Sequence, residues 1–310
     1  MTFAIAFPGQ GSQSVGMLAE MAAQYPVVKA TFDEASAVLG YDLFQLVMEG
    51  PAEELNKTWQ TQPALLASSV ALWRVWQAQG GATPSVMAGH SLGEYSALVC
   101  AGVMDFRDAI RLVELRGKAM QEAVPEGTGA MSAIIGLDND VIAANCVEAA
   151  QGQVVSPVNF NSPGQVVIAG NKEAVERANV LMKASGAKRA LPLPVSVPSH
   201  CALMRPAAEK LAAALADIVL QAPAIPVINN VDVAQETDPA RIKDALVRQL
   251  FSPVRWTETV AAMAEAGVTL EVEMGPGKVL TGLAKRIDAR VEGAAVNDPA
   301  SLQDVMAKIA

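Results

Sequence analysis

The chain contains no apolar run approaching the roughly 18–20 residues that cross a bilayer, so no membrane partner is expected. Cysteine is nearly absent: Cys100, Cys146 and Cys201 are an odd, scattered set without CxxC spacing among 310 residues. That excludes a disulfide framework and a structural zinc site, and it fits a reducing, cytoplasmic setting. An excess of basic charge is also missing. The net charge of −9 excludes a nucleic-acid binder, which needs a basic surface. An acidic partner would have to find a local basic patch, because screening limits the reach of charge to about 8–10 Å. The first residues, Met1-Thr2-Phe3-Ala4-Ile5-Ala6-Phe7-Pro8, lack a basic leader and read as a first strand, not a signal peptide. No internal repeat or low-complexity tract is visible. Histidine is the scarcest residue, with only His90 and His200.

What is present is apolar bulk and one dense motif. At 51% hydrophobic content the chain can bury a large core, as one domain with an insert or as two. The run Val86-Met87-Ala88 reads as the end of a buried strand, and Gly89-His90-Ser91-Leu92-Gly93 follows at once. A helical stretch from Glu94 to about residue 101 comes next. Strand, Gly-x-Ser-x-Gly and helix together form the nucleophile-elbow pattern, in which a tight turn lifts a serine hydroxyl clear of a sheet. The helix after Ser91 aims free N–H groups at any oxyanion formed there. Pro8-Gly9-Gln10-Gly11-Ser12-Gln13 supplies a second loop rich in N–H groups after the first strand. Without a third glycine and a later acidic residue it does not complete a dinucleotide site. Gly275-Pro276-Gly277-Lys278 likewise lacks phosphate-loop spacing and reads as a turn.

A serine hydroxyl needs a base, and two histidines permit elimination. His90 adjoins Ser91 on a tight turn and points elsewhere. His200, 109 residues downstream, remains. No Asp or Glu stands out from spacing as a third member, which leaves open whether a carboxylate or a carbonyl orients the ring. Cys201 shares the geometry problem of His90 and is set aside as a nucleophile. Gln62 to Gln79 predicts a long helix, and residues 106–123 predict another behind an Asp105 N-cap. On the second helix, at ~100° per residue, Arg116 lies about 60° from Val113 and 40° from Met120, on the buried stripe, whereas Arg111 lies about 140° from it. A guanidinium there needs an anion: either an internal carboxylate, Glu94 or Glu114, or a ligand. Beyond Pro125-Glu126-Gly127 the pattern is strand (130–136), helix (138–150), strand (153–159), strand (165–170), helix (172–185), strand (188–193), with Asn161-Ser162-Pro163-Gly164 as the middle turn. That βαββαβ order predicts a ferredoxin-like subdomain over 125–196, inserted into a core of residues 1–124 and 197–310. Short strands at Val227 to Asn229 and Leu270 to Glu273 should complete the first sheet.

Taken together, Phe7 to Gln13, Gly89 to Glu94, Arg116, Pro198-Ser199-His200 and Glu273-Met274-Gly275-Pro276-Gly277 resemble the malonyl-CoA:acyl carrier protein transacylases of bacterial type II fatty acid synthesis. The resemblance runs from residue 2 to about 298. It implies an α/β-hydrolase-like core with the ferredoxin-like insert, and transfer of malonyl from malonyl-CoA to the phosphopantetheine thiol of acyl carrier protein. It also implies the roles: Ser91 is acylated, His200 is the base, and Arg116 binds the malonyl carboxylate. The N–H groups of Gln10 and Leu92 would form the oxyanion hole, and the Gln249 main-chain carbonyl would hold the histidine. The CoA thioester enters as substrate, no metal or bound cofactor is called for, and a monomer is expected. Val197-Pro198-Ser199 departs from the patterns of modular synthases and leaves methylmalonyl open as a substrate. An esterase or thioesterase would share the elbow and base, and a non-catalytic carrier-docking module would share the fold. Lys183, Lys188, Arg189, Lys285 and Arg286 are the candidate cations for an acidic carrier.

Overall fold

A computed structural model describes residues 1–195 and 197–310. Ser196, the last residue of the expected insert, lies outside the described residues. In chain order the strands are β1 (Phe3–Phe7), β2 (Val86–Gly89), β3 (Gly129–Ile135), β4 (Val155–Ser162), β5 (Gln165–Asn171), β6 (Arg189–Pro192), β7 (Val227–Ile228), β8 (Leu270–Met274) and β9 (Glu292–Val296). They form two sheets. One is parallel, in the order β7-β2-β1-β8-β9, and the other is antiparallel, in the order β4-β5-β3-β6.

The parallel strands read as near-continuous apolar runs because helices cover both faces. β1 (FAIAF) and β2 (VMAG) are buried at every position. Phe3, Ile5 and Phe7 face the larger core with the helix Thr58–Ala78, while Ala4 and Ala6 face a second core with the helix Trp256–Glu265. β8 breaks the rule by burying two carboxylates, Glu271 and Glu273, fully. Glu273 accepts from Thr281 N–H and Oγ1, both at 2.7 Å, in the first turn of the helix Val279–Ile287. A helix N-terminus is a place where negative charge is stabilised. Glu271 has neither oxygen paired with a described residue.

The antiparallel sheet takes the 4-1-3-2 strand order of a ferredoxin-like βαββαβ unit, with the helices Asn139–Ala150 and Lys172–Ala184 on one face. Its other face turns toward the parallel-sheet core. There β4 is joined to the segment before the helix Trp256–Glu265, by Val254 N–H to the Val158 carbonyl (2.8 Å) and Phe160 N–H to the Val254 carbonyl (3.0 Å). Two local expectations shift. β4 runs to Ser162, so the turn shrinks to Pro163-Gly164, with Gly164 at φ 71°, as a tight hairpin requires. The long helix begins at Thr58, a turn before Gln62. Pro63 forgoes only the bond to the Trp59 carbonyl, and the surrounding packing retains the turn. Among the described residues, no helix is long and apolar enough to cross a membrane.

Candidate active site

The elbow sits where β2 ends, between β1 and β7. Its glycines are required by close approach: a Cβ on Gly89 would lie 1.9 Å from the Gly93 carbonyl, and one on Gly93 would lie 2.0 Å from the Phe7 carbonyl oxygen. Ser91 is held at φ 52°, the strained conformation of a serine lifted from a sheet, which costs about 1–3 kcal/mol unless its surroundings enforce it. They do so through Asn230. Its Oδ1 accepts from Ser91 N–H at 2.7 Å, and its Nδ2 donates to the Gly89 carbonyl at 2.7 Å. The parallel pairing of Met87 with Val227 and Ala88 with Ile228 brings Asn230 level with the elbow.

His200 also has a positive φ, 65°, and is 3% exposed. Its Nε2 lies 2.7 Å from Ser91 Oγ, and its Nδ1 lies 2.8 Å from the main-chain carbonyl oxygen of Gln249. A carbonyl only accepts, so Nδ1 carries the proton and Nε2 presents its lone pair to the serine. Burial first, and the Arg116 charge second, push the His200 pKa down to about 3. The imidazole is therefore neutral at ordinary pH, the form a base needs. His90 turns the other way, its Nε2 2.8 Å from Asn161 Oδ1 and its ring against Trp256.

Arg116 lies on the buried face of the helix Phe106–Glu122, capped by Asp105, whose carboxylate accepts from Arg107 and Asp108 N–H. It is 1% exposed, while Arg111 pairs with Asp108 at the surface. The guanidinium donates to Gln62 Oε1 (2.8 Å), Gln249 Oε1 (3.0 Å) and Ser91 Oγ (3.2 Å), with its carbon 5.4 Å from the centre of the Tyr95 ring. Among the described residues no carboxylate forms an ion pair with it. Glu114 pairs with Lys118. Glu94 is engaged by Asn230 N–H and Gln249 Nε2. The internal salt bridge that the sequence left open is therefore not formed, and a buried cation faces the serine with the Gln62 and Gln249 amide oxygens and the Ser91 hydroxyl as its acceptors among the described residues.

These groups line one cleft of about 120 Å³ between the two sheets. Gln10, Leu92, Ser91, His200, Arg116 and Gln62 form its polar side, and Met120, Met131, Leu193, Val195 and Val197 its apolar side. Among the described residues the N–H groups of Gln10 and Leu92 donate to no protein acceptor. Leu92 precedes the helix Gly93–Cys100, whose dipole favours a negative charge at that end. Gln249 is fully buried and lies behind the cleft. The sequence did not single out Asn230, Gln62 as an Arg116 partner, or the side-chain role of Gln249. The available signal for Asn230 was a polar residue just past the carboxyl end of a parallel strand, where sites in α/β sheets form. Cys201 is buried and donates to the Pro198 carbonyl. No group of three metal-ligating side chains occurs among the described residues.

The fold and this site define a serine acyltransferase class, and the chain belongs to the acyl transferase domain family, whose model matches residues 5–299. Within it, the chain is 72% identical over 300 residues to the malonyl CoA-acyl carrier protein transacylase of Salmonella typhimurium and 71% identical to that of Escherichia coli K12. Each match spans 97% of both chains. It superposes on the crystal structure of an acyl carrier protein S-malonyltransferase from Vibrio cholerae with a TM-score of 0.97 at 71% identity, covering 98% of this chain and 100% of that one. It superposes equally on a malonyl-transacylase solved in complex with its type II PKS acyl-carrier protein, with a TM-score of 0.99 at 68% identity, covering 99% of this chain and 100% of that one.

Proposed function

We propose that this protein moves the malonyl group from malonyl-CoA to the phosphopantetheine thiol of acyl carrier protein, through a malonyl-serine ester at Ser91, in the cytoplasm and as a monomer. The observation that carries this reading is Arg116, a buried cation 3.2 Å from Ser91 Oγ with no carboxylate partner among the described residues. A dicarboxylic acyl group supplies the missing anion, and a guanidinium grips it with two parallel hydrogen bonds that lysine could not copy.

His200 Nε2 takes the hydroxyl proton as Ser91 Oγ attacks the thioester carbon. The N–H groups of Gln10 and Leu92 stabilise the tetrahedral oxyanion, each donor being worth ~3–4 kcal/mol of barrier. The C–S bond breaks, CoA leaves as the thiol with the proton held on His200, and the malonyl ester of Ser91 remains. The carrier's thiol then attacks that ester while His200 takes its proton and returns one to Ser91 Oγ, which completes a ping-pong cycle. No bound metal or cofactor enters these steps.

For the acidic carrier, exposed cations flank the β4–β5 turn. Arg286 donates to Gln165 Oε1 at 3.1 Å, the Lys188 side chain packs over Gly136 beside Gly164, and Arg189 opens β6 next to Ile135. Lys285 adjoins Arg286, and Lys183 ends the helix Lys172–Ala184. We take this cluster as the docking surface. The functional test is discharge of the malonylated protein, purified from excess malonyl-CoA. Carrier protein should empty it far faster than buffer alone. Release to water at the same rate would make it a hydrolase.

A further inference from the structure

Glu94 is 2% exposed and takes no part in the steps above. Its Oε2 accepts from Asn230 N–H and from Gln249 Nε2, each at 2.9 Å. Those two amides reach every reacting group. Asn230 spans the elbow from the Gly89 carbonyl to Ser91 N–H. The Gln249 main-chain oxygen accepts from His200, its Oε1 accepts from Arg116, and its Nε2 also donates to the Ser91 carbonyl at 3.1 Å.

A carboxamide turned by half a revolution keeps its shape but exchanges donor and acceptor. In Gln249 that exchange would set an NH2 group against the guanidinium of Arg116, donor facing donor. An ionised carboxylate only accepts, so Glu94 admits the NH2 end alone and leaves Oε1 for Arg116. We propose that Glu94 is a positioning residue: by fixing the Gln249 side chain in one orientation, it aims Arg116 at the carboxylate of the incoming acyl group. This deepens the functional reading above and rests on it. The consequence is selectivity. The main-chain arm of Gln249 serves any acyl group through His200, whereas its side-chain arm serves only an acyl group that bears a carboxylate.

The charged and titratable groups facing Glu94 are Arg116 from the helix Phe106–Glu122, Asp232 and Glu236 from the segment after β7, and Tyr95 on its own helix. Burial holds the Glu94 pKa up at about 7, against the pull of its two donors and Arg116. Protonation gives the carboxyl a donor and weakens its hold on Gln249.

The test compares kcat/KM for malonyl-CoA and acetyl-CoA in full-length wild type, Glu94→Gln and Glu94→Ala, with Ser91 acylation followed directly. Glu94→Gln keeps the shape and one acceptor, and its malonyl-over-acetyl ratio should fall about three- to tenfold, charge-assisted bonds being roughly twice as strong as neutral ones. Glu94→Ala should lower the ratio by about thirtyfold or more, since two buried donors then lose their acceptor. If that variant does not fold, Glu94→Gln decides alone. In wild type the ratio should rise with pH through neutrality, where the shared dependence on His200 cancels. An unchanged ratio in Glu94→Gln, or equal losses for both acyl groups, overturns the proposal. Failure of wild-type Ser91 to take up malonyl at all would instead overturn the functional reading, which the acylation assay detects separately.

Discussion

Replacing Arg116 by alanine should separate two acyl groups that differ by one carboxylate. The side chain is 1% exposed and held by Gln62 and Gln249 oxygens at 2.8 and 3.0 Å. Its two NH2 groups are thus already aligned before substrate arrives. Two charge-assisted bonds to a substrate carboxylate, at about 1.5–3 kcal/mol each, amount to about 3–6 kcal/mol. At 1.4 kcal/mol per decade that is a loss of about 10²–10⁴ in kcat/KM for malonyl-CoA. Acetyl-CoA makes no such bonds and should lose less than about tenfold, the remainder reflecting the cavity and two unpaired amide oxygens. Arg116→Lys should recover little, because a point charge cannot make the two-pronged pair. A second readout is independent of the substrate carboxylate. Arg116 is the second cause, after burial, of the low His200 pKa of about 3. The acid limb of acetyl transfer should therefore move to higher pH in Arg116→Ala. Steady-state kinetics with both thioesters across pH, alongside a thermal midpoint, measure all of this. Equal losses for malonyl and acetyl would refute the carboxylate grip.

Three further outcomes follow from the same geometry. In wild type, neutral His200 is the working base, so the acid limb of kcat/KM for acetyl transfer, which does not draw on Glu94, should lie well below the 6.5 of an ordinary histidine, given a folded pKa near 3; an acetyl limb at 6.5 or above would contradict the burial argument. Asn230→Ala leaves Ser91 N–H and the Gly89 carbonyl without partners. At about 1–3 kcal/mol per buried orphan, it should lower the thermal midpoint and slow acylation of Ser91 together, and a variant that slows neither would release the elbow from its clamp. Glu271, buried in β8 with both oxygens unpaired among the described residues, has its pKa raised from 4.5 to about 8. The folded state thus binds a proton that the unfolded state releases. Its stabilising contribution is complete below 4.5 and is lost as pH rises toward 8. Glu271→Leu should raise the thermal midpoint most at pH about 8, and denaturation curves at two pH values would expose the opposite sign.

Much of this site was legible in the sequence because its signals are local. Gly89, Ser91 and Gly93 stand between an apolar run and a helix, and that context restricts the turn they can make. The burial of Arg116 follows from its angular position beside Val113 and Met120. The order of elements from residue 129 to 192 was readable from periodicity alone, and the sheet adopts the matching strand order. What escaped is what the fold brings in from a distance. Asn230 reaches Ser91 across 139 positions, through a strand only two residues long, too short to show a period. Gln62 meets Arg116 across 54 positions and Gln249 meets it across 133, each from a helix whose apolar pattern hides one inward amide. The same patterning could not decide whether Glu94 neutralises Arg116, since that depends on which donors reach the carboxylate first.

The central claim is that Ser91 carries the acyl group. Wild type and Ser91→Ala, each mixed with malonyl-CoA, quenched in acid and examined by intact mass and peptide mapping, test it most directly. A single malonyl adduct on the peptide containing Ser91, absent from Ser91→Ala and discharged by carrier protein, is the predicted result. An adduct on another residue, or one that persists in Ser91→Ala, would contradict the account.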